Sequence, residues 1–154
     1  MDKSKVPAEQ RAALSLLVDD HRSVKKLFKA FQDAKDDAEK QSIAAETCQQ
    51  LTVHAQIEEE IFYPALRGAS DKIDDMLDEA KVEHAVAKDL IAKIEAGNSE
   101  MLEAHYTVLT EYVGHHVAEE ENELFQAVIR AKVDLQDVAQ KLEARKAELT
   151  GQPA

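Results

Sequence analysis

Two histidine–glutamate pairs at helical spacing carry most of the chemistry this chain can support. His54-Ala-Gln-Ile-Glu58 and His116-Val-Ala-Glu-Glu120 each set an imidazole four residues before a carboxylate, and on an α-helix such residues lie about 40° apart on one face. A lone histidine precedes each pair at a near-constant interval, 33 residues from His21 to His54 and 32 from His84 to His116. Four histidines and two carboxylates converging on one point would make a metal site. Imidazole and carboxylate without thiolate disfavour structural zinc and copper(I). Two carboxylates able to bridge opposed histidines suit a pair of redox-active irons, for which manganese or zinc could substitute.

The surrounding residues leave two choices open. Within the acid runs Glu58-Glu59-Glu60 and Glu119-Glu120-Glu121, one residue of each can point along its histidine's direction, and the spacing selects Glu58 and Glu120. The other acids are expected on solvated faces, although a local π-bulge would bring Glu121 inward instead. His115 is rotated by about 100° from His116 and is expected on the flank of its helix, an alternative ligand at most. His105 lies about 16 Å along the helix from His116 and is not expected to bind. The bland reading is a buried His–Glu hydrogen-bond network. Unpaired buried carboxylates cost several kcal/mol each, and a pair of bound cations would remove that cost.

The elements that must position these residues are helices. Apolar residues at Leu14, Leu17, Val24, Phe28 and Phe31 form one stripe, with His21 inside it and Pro7 suited to the first turn. Ala44, Thr47, Leu51, His54, Glu58, Ile61 and Ala65 form a second, which stops near Gly68-Ala69-Ser70 with Pro64 placed to kink its last turns. A third runs from Ile73 through His84 to Ile94 and ends at Gly97-Asn98, and a fourth from Leu102 through His116 and Glu120 to Ala127. Asp134 can cap a shorter fifth helix that uses Leu135, Val138 and Leu142. Short links predict an all-α, up-down-up-down four-helix bundle over residues 8–131, a C-terminal helix over 134–149 and a disordered tail over 150–154. In antiparallel hairpins each lone histidine reaches the height of its His-x-x-x-Glu partner. The two hairpins read as copies about a pseudo-twofold axis.

Composition agrees with that class. The 154 residues include 44% hydrophobic and 32% charged residues with only four glycines and three prolines, which favours helix over an all-β fold. A formal net charge of −12 repels phosphate backbones and anionic membrane surfaces, so neither nucleic acid nor membrane is an expected partner. No apolar run approaches the roughly 20 residues that span a bilayer, and the N-terminus lacks the apolar segment of a signal peptide, which points to a soluble cytoplasmic protein. Cys48 is the single cysteine, which excludes an internal disulfide.

In these motifs the chain resembles the hemerythrin-like family, the HHE cation-binding domains. Asp20-His21, His54-Ala-Gln-Ile-Glu58-Glu59-Glu60-Ile-Phe-Tyr-Pro64 and His115-His116-Val-Ala-Glu-Glu120-Glu121 carry the likeness over residues 10–130. The resemblance implies a non-haem di-iron centre with an oxo or hydroxo bridge. His21, His54, His84 and His116 would be terminal ligands, and Glu58 and Glu120 bridging ones. The oxygen-carrying hemerythrins have a further histidine four residues beyond the third-helix ligand, where this chain has Lys88, and they end in His-x-x-x-x-Asp. The resemblance therefore implies reaction with oxygen, peroxide or nitric oxide in protection against oxidative stress, catalase-like turnover included. The alternative is a module that binds or senses oxygen or iron without catalysis.

Overall fold

The computed structural model describes residues 1–151, and these form five long helices with no strand among them. Helix α1 spans Ala8–Asp33. Helix α2 runs through Asp37–Ile57, passes through one π-helical turn at Glu58–Phe62 and ends with Tyr63–Leu66. Helix α3 spans Asp71–Glu95. Helix α4 repeats the plan of α2, with Leu102–Glu119, a π-helical turn at Glu120–Leu124 and Phe125–Arg130. Helix α5 spans Gln136–Thr150.

Local chemistry sets most of these boundaries. The Asp36 carboxylate accepts the Glu39 N–H at the start of α2 and the Ser70 hydroxyl accepts the Ile73 N–H at the start of α3, satisfying orphan donors of a first turn. Gly68 and Gly97 stop α2 and α3 with φ of +90° and +82°, a region open to glycine at little cost. Three expectations shift. Pro7 is the N-cap of α1 and not part of its first turn. Asp134 does accept the Gln136 N–H, but the cap position belongs to Leu135. Thr150 closes α5, and Gly151 caps it in the left-handed conformation; the rest of the expected tail, residues 152–154, lies outside the described residues.

Two apolar clusters flank the layer that holds the histidines. One contains Leu14, Leu17, Phe62, Leu77, Phe125 and Leu142; the other contains Phe28, Phe31, Leu51, Ile91, Tyr106 and Leu109. Helices α1 and α3 meet the first cluster with their N-terminal halves and the second with their C-terminal halves, whereas α2 and α4 meet them in the reverse order. Each of the four crosses the intervening layer once. Helix α5 packs on α1 and α2, burying Val138, Ala139 and Leu142. No helix of the described residues is long and apolar enough to cross a membrane.

Candidate metal centre

The four crossings deliver His21 from α1, His54 and Glu58 from α2, His84 from α3, and His116 and Glu120 from α4. Ligand atoms of His21, His54, Glu58 and Glu120 all lie within 4.8 Å of one another, and so do those of Glu58, His84 and His116. Glu58 belongs to both groups: its Oε1 is 3.3 Å from His54 Nε2 and 3.3 Å from His84 Nε2. Glu120 also reaches both sides, with Oε1 3.2 Å from His21 Nε2 and Oε2 3.6 Å from His116 Nε2. Each carboxylate therefore spans the two hairpins, and each hairpin contributes one edge-on pair of rings. The ring centroids are 4.9 Å apart for His21 and His54 and 5.1 Å for His84 and His116.

The outward nitrogens of these rings are held by a closed circuit of acids. Asp20 of α1 meets His54 Nδ1 at 2.9 Å, Glu59 of α2 meets His84 Nδ1 at 2.7 Å, Glu83 of α3 meets His116 Nδ1 at 2.8 Å and Glu121 of α4 meets His21 Nδ1 at 2.7 Å. Every acid is the chain neighbour of an inward His or Glu on its own helix and serves the histidine of another helix. With Nδ1 donating to a carboxylate, the neutral ring presents the Nε2 lone pair inward. This is the usual support of a metal-bound histidine, fixing its tautomer and raising its basicity.

The inner atoms meet no such partners. His21 Nε2, His54 Nε2, His116 Nε2, Glu120 Oε1 and both oxygens of Glu58 are buried without a hydrogen bond, although several of them lie within 3.3 Å of one another. Glu58 is completely buried, and a core has no reason to orphan a carboxylate and three imidazoles at one point unless something else binds there. An imidazole and carboxylate donor set of this kind fits iron.

Electrostatics describes the same frustration in the metal-free chain. Burial lowers the affinity of His54 for a proton, but Glu58 and Asp20 outweigh it and hold the ring well above the usual histidine range. Burial likewise opposes protonation of His84, yet Glu58 and Glu59 raise it to about 9. Burial alone would raise Glu58, and the two imidazoles pull it well below the carboxylate range. The buried carboxylates thus favour positive charge on the rings around them.

Tyr63 is part of the site although its spacing from His54 gave no sign of it. The π-helical turn of α2 closes with the Tyr63 N–H on the Glu58 carbonyl and turns the side chain inward, where its hydroxyl donates to Glu120 Oε2 at 2.5 Å and sits 3.3 Å from His84 Nε2. Burial, then Glu120 and Glu58, hold this phenol well above its ordinary pKa, so it stays protonated as a donor. Pro64 cannot donate to the helix ladder and sits in the first turn of the closing segment Tyr63–Leu66. The matching turn in α4 contains no proline. What the two turns share is an inward glutamate as first residue, in keeping with the frequent placement of π-bulges at functional sites.

The open choices take definite positions. Glu121 is buried beside Glu120, as a π-bulge requires, but it meets the outer nitrogen of His21, and Glu120 stands among the inner atoms. His115 is exposed and paired with Glu119 at 2.9 Å, away from the inner groups, and His105 belongs to neither. Glu59, expected to be a solvated acid, instead joins His84 to Lys88 Nζ, the latter at 2.6 Å. Glu59→Ala should accordingly weaken metal binding by roughly 10- to 100-fold, the usual cost of losing such a partner. Competition with a chelator would measure it, and an unchanged affinity would make Glu59 a bystander.

A model of the hemerythrin HHE cation binding domain matches residues 12–128. The chain belongs to this family. The matched span contains all six inward residues and all four supporting acids, while α5 lies beyond it. A DNA nickase of Nostoc sp. is 32% identical over 111 residues, which cover 71% of this chain and 31% of the nickase, so the chain spans about a third of that relative's length. No solved structure matches it. Family membership agrees with a cation-binding centre.

Proposed function

We propose that α1 to α4 form an up-down-up-down four-helix bundle, and that this HHE domain holds two iron ions between them for reaction with oxygen, peroxide or nitric oxide. His21 and His54 would serve one ion and His84 and His116 the other, with Glu58 and Glu120 shared. The observation that carries this reading is the set of unpaired inner atoms, in which each imidazole nitrogen is backed by an acid on the far side of its ring. Bound iron supplies one-electron redox change and coordination positions for small molecules.

The chain's own residues shape what could react there. A cavity of about 50 Å³ is bounded by the four histidines together with Val24, Leu51, Ile91, Val113 and Lys88. Its volume is on the order of one or two water molecules and its wall surface is mostly apolar, which suits a small, weakly polar molecule. Tyr63 keeps a proton at its hydroxyl oxygen on the Glu120 side. Lys88 turns to Glu59 and leaves the cavity beside the histidines unfilled by a fifth ring. Cleavage of DNA belongs to the longer nickase; the net charge of −12 works against a phosphate backbone here.

Elemental analysis after expression in iron-rich medium should find two irons per chain, and the loaded protein should consume hydrogen peroxide. Lys88→His should lower that consumption several-fold at unchanged iron content, by placing a ring in the cavity. A reversible oxygen spectrum with no peroxide consumption would replace catalysis with oxygen binding. A single tightly held metal would overturn the two-iron reading.

A further inference from the structure

Three of the four acids that brace the histidines carry a cation of their own. Asp20 holds Lys146 Nζ at 2.5 Å, Glu59 holds Lys88 Nζ at 2.6 Å and Glu121 holds the Met1 amino group at 3.2 Å. Glu83 has none among the described residues; its single ion-pair partner there is His116. One oxygen of Glu83 is engaged by that ring, and the other is spare. On the outer side of Glu83, His115 and Glu119 come together, and the three offer ligand atoms all within 4.8 Å of one another.

A narrow cleft of about 20 Å³ opens at the same place. It is lined by Glu79, Glu83, Glu119 and Glu123 and reaches His116 and Glu120, with no lysine or arginine among its lining residues. Glu120 is 3% exposed and its Oε1 has no hydrogen-bond partner. A cleft walled by a single sign of charge concentrates counter-ions and speeds their arrival. Imidazole with two carboxylates is a donor set for divalent transition metals.

The geometry points to a second, outer cation site at Glu83, His115 and Glu119, which receives a divalent metal ion and passes it along the glutamate cleft to the His116 and Glu120 side of the inner centre. The inference rests on the inner centre being a metal site. Glu83 joins the two, since the carboxylate that would hold the arriving ion also holds the His116 ring. The exposed position of His115 and Glu119 fits a transit site, which must release its ion. The inner residues, buried and braced on both sides, fit retention.

The test uses the metal-free full chain and its His115→Ala and Glu119→Gln variants, neither of which touches the inner ligands. Cobalt(II) mixed at limiting concentration should enter the inner centre, followed by its visible absorption, at least fivefold more slowly in each variant, with the same final amplitude as wild type. A manganese(II) titration followed by electron paramagnetic resonance should show one weak equivalent in wild type that both variants lose. Unchanged cobalt uptake rates would overturn the transit role, and a manganese titration identical in all three proteins would overturn the site. If wild type takes up no cobalt at the inner centre, the inner reading fails, and the manganese titration alone decides the outer site.

Discussion

Glu58→Gln should leave the chain with at most one bound metal and remove the thermal stabilisation that metal gives the wild type. A ligand present at about a thousand times its dissociation constant stabilises the native state by roughly 4 kcal/mol, which for about 150 residues raises the melting temperature by roughly 8–16 °C. Wild-type protein should show a rise of this order on loading. Glu58→Gln should not, because its Oε1 lies equally close to His54 and His84 and an amide oxygen is a poorer, uncharged bridge. Glu60 lies two residues away and pairs with Arg145 on the surface, so Glu60→Gln should retain both metals and the full rise. Elemental analysis and thermal unfolding monitored by circular dichroism would measure the pair. Equal metal content in the two variants would remove Glu58 from the centre and, with it, the shared-carboxylate arrangement.

The inner residues were legible in the sequence and the braces around them were not, and both follow from helix geometry. Spacing of four residues puts His54 with Glu58 and His116 with Glu120 on common faces, and those faces do point to one layer. The lone His21 and His84 became legible through their position in an apolar stripe and through the matched loop intervals. Asp20, Glu59, Glu83 and Glu121 each sit one residue from an inward His or Glu, about 100° around the helix, where an acid ordinarily meets solvent. Their partners are on neighbouring helices, and no pattern within one helix reports on a contact with the next. A signal was nonetheless present. An acid adjoins an inward residue on all four helices, and each of the four reaches a histidine of another helix.

Tyr63 was hidden for a different reason. From His54 onward, a regular helix of 3.6 residues per turn does not bring position 63 to the ligand face, and the π-helical turn at Glu58–Phe62 supplies the extra residue that does. The same register change in α4 buries Glu120 and Glu121 together, so the apparent choice between them dissolves into two roles. Glu120 faces the inner atoms, and Glu121 braces His21 from behind.

The melting temperatures of metal-free and metal-loaded protein should draw apart as pH rises from about 6.5 to 9. In the metal-free chain His84 is raised to about 9, and His54 and His21 are also raised. A raised histidine contributes stability that is complete below its unfolded value near 6.5 and is lost as pH climbs through the folded one. For His84 that contribution is roughly 3 kcal/mol at 1.36 kcal/mol per pKa unit, and it does not add fully to that of His54, because the two rings share Glu58. The carboxylates work on the other side. Burial opposes ionisation of Glu121, but His21 and the Met1 amino group lower it to about 2, so its contribution is present above the ordinary carboxylate range and is lost as pH falls toward 2. The metal-free protein should therefore be most stable between about pH 4.5 and 6.5 and melt progressively lower toward pH 9. Metal needs the same Nε2 lone pairs free of protons, so its binding strengthens over the interval in which the metal-free protein weakens. The difference in melting temperature between loaded and metal-free protein should grow steadily from pH 6 to pH 9, and loading at pH 7 should release protons into a weakly buffered solution. A hydrogen-bond network that has no use for metal would show the alkaline weakening without the proton release or the widening gap. A metal-free melting temperature that stays level or rises from pH 6.5 to 9 would contradict the raised histidines themselves.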